Sequence, residues 1–292
     1  MSFSSDVKKE LAKQAGKARH CQLAELSAIV SFSGKLSRID GGLRLTIDSL
    51  NAALQEKYQL LLQQLFQTKN AEALTILESV KMWDVPKNCL KSLDLTDGLL
   101  IQQSCCRRAF IRGAFLACGS VSNPQKAYHF EIVCGTKEKA RQLSNVMQSF
   151  GVDARMVERK NHQVVYVKEG AHIVDLLNIM EAHVALMNLE NVRIVKEMRN
   201  FVNRQVNCET ANINKTVSAA VRQVEDILFI KNTKGLESLP KHLREVAGLR
   251  LEYPDVSLKE LGTYLDPPVG KSGVNHRLRR ISEIAAGIDL ER

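Results

Sequence analysis

Gly34 and Gly119 stand 85 positions apart (119 − 34), and at that offset the chain lies in register with itself. Leu45 and Ile47 then fall on Phe130 and Ile132, and Leu62 and Leu65 fall on Met147 and Phe150. A period held over roughly 40 residues is the mark of two copies of one supersecondary unit. In the first copy an apolar helix covers 22–32, with Gly34 as its C-cap. Lys35–Ile39 and Leu43–Ser49 read as a hairpin around Asp40-Gly41-Gly42, a strong turn signal. Leu43, Leu45 and Ile47 alternate there with Arg44, Thr46 and Asp48. A helix over 51–66 and a strand over 73–77 complete the copy. The second copy reads as a helix over 109–118, a strand over 128–134, a helix over 137–150 and strands over 154–158 and 164–168. Small residues interrupt both opening helices, Ala28 in one and Gly113 and Ala114 in the other. Their size lets two backbones approach closely, so the pair is expected to pack at a pseudo-twofold axis.

Charge and cysteine usage narrow the function. Lys and Arg number 41 against 32 Asp and Glu, a formal charge of +9. That surplus points to a polyanionic partner, nucleic acid above all. No apolar run reaches the roughly 20 residues that span a bilayer, and the N-terminus lacks a signal-peptide pattern, so a cytoplasmic protein without membrane attachment is expected. Seven cysteines, an odd number, carry no Cys-x-x-Cys, which argues against a disulfide framework and against a zinc site of usual spacing. The histidines, His20, His129, His162, His172, His183, His242 and His276, form no ligand-spaced cluster. No metal and no cofactor are therefore expected.

The two nonapeptides that open the copies, 26–34 and 111–119, resemble degenerate LAGLIDADG motifs of single-chain homing endonucleases. That resemblance implies two αββαββα repeats whose antiparallel strands form a saddle across DNA. It also implies a metal-binding acid just before each motif glycine, Gly34 and Gly119. Ser33 and Cys118 occupy those positions. A hard divalent cation needs oxygen ligands, usually carboxylates, so the scaffold is expected without the cleavage chemistry.

The last quarter carries a second signal. From 193 to 222 six basic residues (Arg193, Lys196, Arg199, Arg204, Lys215, Arg222) face two acids, Glu197 and Glu209, and residues 200–215 hold five asparagines. Asparagine favours turns, so a linker is expected over 206–216, between a domain at 1–205 (repeats at about 20–90 and 105–180) and one at 217–292. Ser257-Leu-Lys-Glu260 is a capping box, and Asp266-Pro-Pro-Val-Gly270 breaks the helix that it starts. Ser272 is read as the cap of a second helix reaching about 286. Short helix, tight break and basic helix make a helix-turn-helix over about 257–287. Val274, Leu278, Ile281 and Ala285 share its apolar stripe. Opposite or flanking them lie Lys271, Ser272, Asn275, His276, Arg277, Arg279 and Arg280, the candidate DNA contacts. Arginine can pair with guanine and asparagine with adenine in the major groove.

Degenerate LAGLIDADG repeats followed by a helix-turn-helix resemble the WhiA family of bacterial transcription regulators. The resemblance rests on 106–120, 203–212 and Lys271-Ser-Gly-Val-Asn-His-Arg-Leu-Arg280 and covers essentially the whole chain. It implies an α+β N-terminal domain with a saddle sheet and an all-α C-terminal domain. It further implies a non-enzymatic regulator of sporulation, cell division or chromosome segregation that binds double-stranded DNA at the nucleoid, with other transcription or division proteins as candidate partners. An active homing endonuclease and a ligand-sensing or interaction scaffold stand as the alternatives.

Overall fold

The computed structural model describes residues 2–14, 16–39, 42–48 and 51–290. The chain divides into two compact units, Met1–Glu197 and Met198–Arg292. In the first, α1 (Phe3–Lys13) precedes α2 (Arg19–Ser33), the hairpin β1–β2 (Gly34–Ile39, Gly42–Ile47) and α3 (Ala52–Phe66). Then come α4 (Ala73–Ser79) and a short pair, β3 (Trp83–Asp84) and β4 (Cys89–Leu90). The second copy runs α5 (Ser104–Cys118), β5 (Gly119–Val121), β6 (Phe130–Cys134), α6 (Lys137–Gln148), β7 (Arg155–Arg159), β8 (His162–Val167) and α7 (Gly170–Met180). The offset of 85 carries both ends of α2 onto the ends of α5, and the start of α3 onto the start of α6. Two expected turn residues, Asp40 and Gly41, lie outside the described residues.

Helices α2 and α5 pack directly on each other. A Cβ placed on Gly113 would stand 2.6 Å from the Glu25 carbonyl oxygen and 2.9 Å from the Ala28 Cβ. Ala28 and Gly113 are repeat equivalents (28 + 85 = 113), so a residue meeting its own counterpart marks the two-fold relation. Gly34 and Gly119 do follow the two helices as C-caps, but both backbones there are extended, with φ near −75° and −87°. Crowding explains the glycine instead. A Cβ at Gly34 would meet the Val30 carbonyl oxygen at 2.4 Å, and one at Gly119 would meet the Phe115 ring at 2.3 Å.

The copies diverge after their second helix. Residues 73–79 form a helix, where a strand was expected: Ala73, Ile76 and Leu77 are buried at the i, i+3, i+4 spacing of one helical face. The strands accordingly form separate sheets, a two-stranded β1–β2 and a four-stranded antiparallel sheet ordered β5-β6-β8-β7. Beneath them lies a core that includes Leu26, Ile29, Phe110, Phe115, Phe130 and Ile132. A buried ion cluster braces it. Arg112 on α5 grips Glu25 on α2 with both arms of its guanidinium, at 2.9 and 3.0 Å, and donates to Glu181 at 2.7 Å. Lys57 of α3 reaches the same Glu25 at 2.8 Å, with both side chains fully buried. Burial pushes the Lys57 ammonium below its usual range, although Glu25 opposes the shift.

The helix α8 (His183–Thr233) is continuous through 206–216, the expected linker. Asparagine is only mildly unfavourable in helices, and the apolar residues Val202, Val206, Ile213 and Val217 keep a helical rhythm through the run. In the second unit α8 is followed by α9 (Lys241–Glu252), α10 (Leu258–Thr263) and α11 (Lys271–Leu290). Their core is Ile227, Ile230, Leu243, Val246, Ala247, Leu261, Val274, Leu278 and Ile281 with their neighbours. Arg250, 3% exposed, ties it together by donating to the Gln223 side chain and to the carbonyls of Pro254 and Val256. No helix among the described residues is long and apolar enough to cross a membrane.

Candidate nucleic-acid interface

The α10–turn–α11 element is built as its residues direct. The Ser257 hydroxyl accepts from the Glu260 amide at 3.3 Å, closing one half of the capping box. After α10 the chain folds back so tightly that the Val269 amide bonds the Gly262 carbonyl at 2.9 Å. A Cβ on Gly262 would lie 2.0 Å from the Val269 carbonyl oxygen, so only glycine fits there. Helix α11 starts at Lys271 rather than at a Ser272 cap, because the Val274 amide already bonds the Gly270 carbonyl at 3.1 Å. Ser272 therefore sits in the first helical turn.

Val274, Leu278, Ile281 and Ala285 are all buried, so the apolar stripe fixes which way α11 faces. Lys271, Ser272, Asn275, His276, Arg279 and Arg280 are exposed, and Arg277 is half-buried. Around the helix, Ser272, His276 and Arg279 lie outward. Lys271 and Asn275 lie on the flank toward α8, where they line a groove with Lys215, Val217 and Gln223. A second cleft on that flank joins Lys215 and Arg222 to Asn275 and Arg279. Four polar or basic side chains from two helices thus share one edge. One acid tempers the face: Glu283 pairs with Arg280 at 2.8 Å and with Arg279 at 3.5 Å. The Arg280 hydrogen bond and the two guanidinium charges hold the Glu283 carboxyl below its usual range.

The helix junctions of the first unit are different in kind. The Ser33 hydroxyl donates to the Ile29 carbonyl at 2.8 Å, and the Cys118 thiol points at the Phe32 carbonyl at 3.3 Å. Two lysines gather beside Cys118. Lys139, 6% exposed, donates to the Ser31 carbonyl at 2.6 Å and lies over the Phe32 ring. Lys8 lies over the Phe115 ring. Burial keeps the Cys118 thiol above its usual range even beside these two ammonium groups. The Asp94 carboxylate lies 3.5 Å from Lys139 and is paired with it, so a thiol, a hydroxyl, one lysine-bound acid and two ammonium groups make a poor shell for a hard divalent metal.

On the outer face of the four-stranded sheet one strand acid, Glu131, lies with Arg155 and Arg159. Cross-strand register puts Glu131 between Ser120 and Tyr166, and it bonds His129 at 2.9 Å and Arg159 at 3.4 Å. On the other sheet Lys35 pairs with Asp48, and Arg38 and Arg44 are exposed.

Three family profiles match the chain: a WhiA N-terminal LAGLIDADG-like domain over 19–76, a WhiA LAGLIDADG-like domain over 107–199 and a WhiA C-terminal helix-turn-helix domain over 202–285. A curated relative from Lachnoclostridium phytofermentans, named probable cell division protein WhiA, is 48% identical across 99% of this chain and 99% of its own length. This chain belongs to the WhiA family. A second relative of that name, from Alkaliphilus oremlandii, is 49% identical over 98% of this chain and 97% of its own. The crystal structure of full-length WhiA from Thermatoga maritima superposes with a TM-score of 0.57 at 25% identity, covering 98% of both chains. The family places a LAGLIDADG-like scaffold and a helix-turn-helix in one chain, as the residues above do, and both folds support DNA as a partner.

One group of chemically able side chains escaped the sequence reading. His20, Cys21, Cys105 and Cys106 converge, with all four ligand atoms within 4.8 Å of one another. They were missed because the ligands come as two adjacent pairs on different helices and not as Cys-x-x-Cys. The signal was present: the offset of 85 carries His20-Cys21 onto Cys105-Cys106.

Proposed function

We propose that this chain is a sequence-specific DNA-binding transcriptional regulator acting in cell division, chromosome segregation or sporulation, at the nucleoid, and that it does not cut DNA. The observation carrying the reading is the exposed basic face of α11, held outward by its buried stripe and joined by Lys215 and Arg222 of α8. Ser272, Asn275, His276 and Arg279 are the base-reading candidates, since the N-terminal half of such a helix reaches base edges. Lys271, Arg277 and Arg280 are assigned to phosphates.

The test is fluorescence anisotropy of the full chain with a footprinted site and a scrambled duplex at several salt concentrations. Arg279→Ala or Asn275→Ala should cost roughly 1–3 kcal/mol on the preferred site and much less on the scrambled one. Arg280→Ala or Lys271→Ala should weaken both equally and lower the salt slope by about one. Equal losses on both duplexes from Arg279→Ala would remove it from the readers. Supercoiled plasmid with Mg²⁺ or Mn²⁺ should stay intact, also with Ser33→Asp plus Cys118→Asp, because Lys139 and Lys8 would neutralise the new carboxylates. Cleavage that follows the protein through purification would refute the non-enzymatic reading.

A further inference from the structure

At the ends of α2 and α5 remote from Gly34 and Gly119, the two helix starts meet. His20 and Cys21 lie in the first turn of α2, and Cys105 and Cys106 in the first turn of α5. His20 Nδ1 stands 3.1 Å from Cys106 Sγ, 3.4 Å from Cys21 Sγ and 4.0 Å from Cys105 Sγ. A tetrahedral zinc ion with Zn–S near 2.3 Å and Zn–N near 2.0–2.1 Å sets its ligands roughly 3.6–3.8 Å apart. The three distances scatter about that value. We propose that His20, Cys21, Cys105 and Cys106 bind a single zinc ion as a tetrahedral Cys3His site that clips the two repeats together.

The chemistry of the donor set selects the metal. Three thiols and an imidazole suit borderline-soft zinc and exclude magnesium or calcium, which take oxygen ligands. Thiolates at helix N-termini gain from the positive end of the helix dipole. Here two such ends converge. Neither N-cap residue, Ala18 or Gln103, supplies a side-chain capping bond, so both helix starts lack the usual polar cap. Cys21 and Cys106 are buried with Ala24 and Ala109, while His20 and Cys105 are exposed. The ion would thus be held from inside and reached from outside, which gives it an entry path. The repeat offset that relates the two dipeptides explains how four ligands arise from two pairs: each copy contributes one pair.

The test is metal analysis by inductively coupled plasma mass spectrometry on the full chain, carrying no histidine tag and purified under reducing conditions without chelator. About one zinc per chain is expected, the stoichiometry of a single closed Cys3His site. Replacing zinc by cobalt should produce the thiolate-to-cobalt charge-transfer band and intense visible bands of a tetrahedral site. Cys105→Ser with Cys106→Ser should lose both metal and bands. Because Cys106 is buried and its loss endangers the helix contact, His20→Asn serves as a second variant on an exposed side chain. It should keep the wild-type circular dichroism and bind zinc at least tenfold more weakly. Cys89→Ser with Cys208→Ser, at two exposed cysteines elsewhere, should leave the zinc in place. Substoichiometric zinc after reconstitution, absence of cobalt–thiolate absorption, full zinc retention in both ligand variants, iron in place of zinc, or a Cys21–Cys106 disulfide in the reduced-purified protein would each overturn the proposal.

Discussion

Gly113→Ala tests the helix contact on which the first unit is built. Inside an isolated helix, alanine is favoured over glycine by about 1 kcal/mol. At this position the added Cβ would stand 2.6 Å from the Glu25 carbonyl oxygen and 2.9 Å from the Ala28 Cβ. Carbon atoms pack best at roughly 3.5–4.0 Å, so α2 and α5 must part by most of an ångström. Overpacking of this kind costs about 1–3 kcal/mol. The helix preference offsets part of it, leaving a net loss of about 1 kcal/mol for alanine and, by the same overpacking scale, about 3 kcal/mol or more for Gly113→Leu. Trp83 is the single tryptophan and packs against the core of the first unit, so its fluorescence follows urea unfolding of that unit. A loss of 1 kcal/mol lowers the midpoint by about 0.3–1 M at ordinary m-values. Gly135→Ala, with nothing within 4 Å of the added carbon, is the matched control and should leave the midpoint in place. If Gly113→Ala and Gly113→Leu both unfolded at or above the wild-type midpoint, the close packing at the pseudo-axis would be refuted.

Glu25→Gln should destabilise the first unit by about 3–5 kcal/mol, because it leaves Arg112 and Lys57 buried with half of their compensation; the Trp83 urea transition reads it, and a loss below 1 kcal/mol would mean that the cluster carries little of the stability. Glu283→Gln should strengthen DNA binding about two- to fivefold and steepen its salt dependence, since it releases Arg279 and Arg280 from an exposed carboxylate; unchanged anisotropy titrations would place those arginines away from the phosphates.

Where a residue's role depends on its own neighbours in the chain, the sequence was enough. The Ser257 cap and the buried stripe of α11 follow from spacings of three, four and seven residues, and the Asp266-Pro-Pro-Val-Gly270 break follows from its prolines. The repeat was legible because a duplicated fold keeps its offset, and Ala28 meeting Gly113 is the spatial form of that arithmetic. Three local readings differ from the structure: the strand at Ala73–Leu77, the linker at 206–216, expected from asparagine content, and the Ser272 cap. The packing of Ile76 and Leu77 outweighed any strand preference, and asparagine's helix penalty, less than about 1 kcal/mol per residue, did not break α8. The Lys139–Ser31 contact was not legible, because it joins residues 108 apart with no spacing rule between them, whereas the Cys3His group was marked only by the repeat offset that carries His20-Cys21 onto Cys105-Cys106.

The two ends of the α2–α5 pair differ in the charge that their side chains bring. Helix C-termini carry the negative end of the dipole and free carbonyls, and cations are favoured there. In a nuclease of this fold, acids and a divalent ion would share that place. Here Ser33 and Cys118 bring no negative charge, and Lys139, bonded to the Ser31 carbonyl, supplies the positive charge directly. A lysine needs no coordination shell, so it stabilises the helix ends directly. At the opposite ends the dipole favours anions, and a His–Cys pair and a Cys–Cys pair related by the repeat place three thiols there. The same pair of helices thus repels a hard cation at one end and presents soft ligands at the other. The Gly113–Ala28 contact, between those ends, fixes how closely both sets of side chains are held.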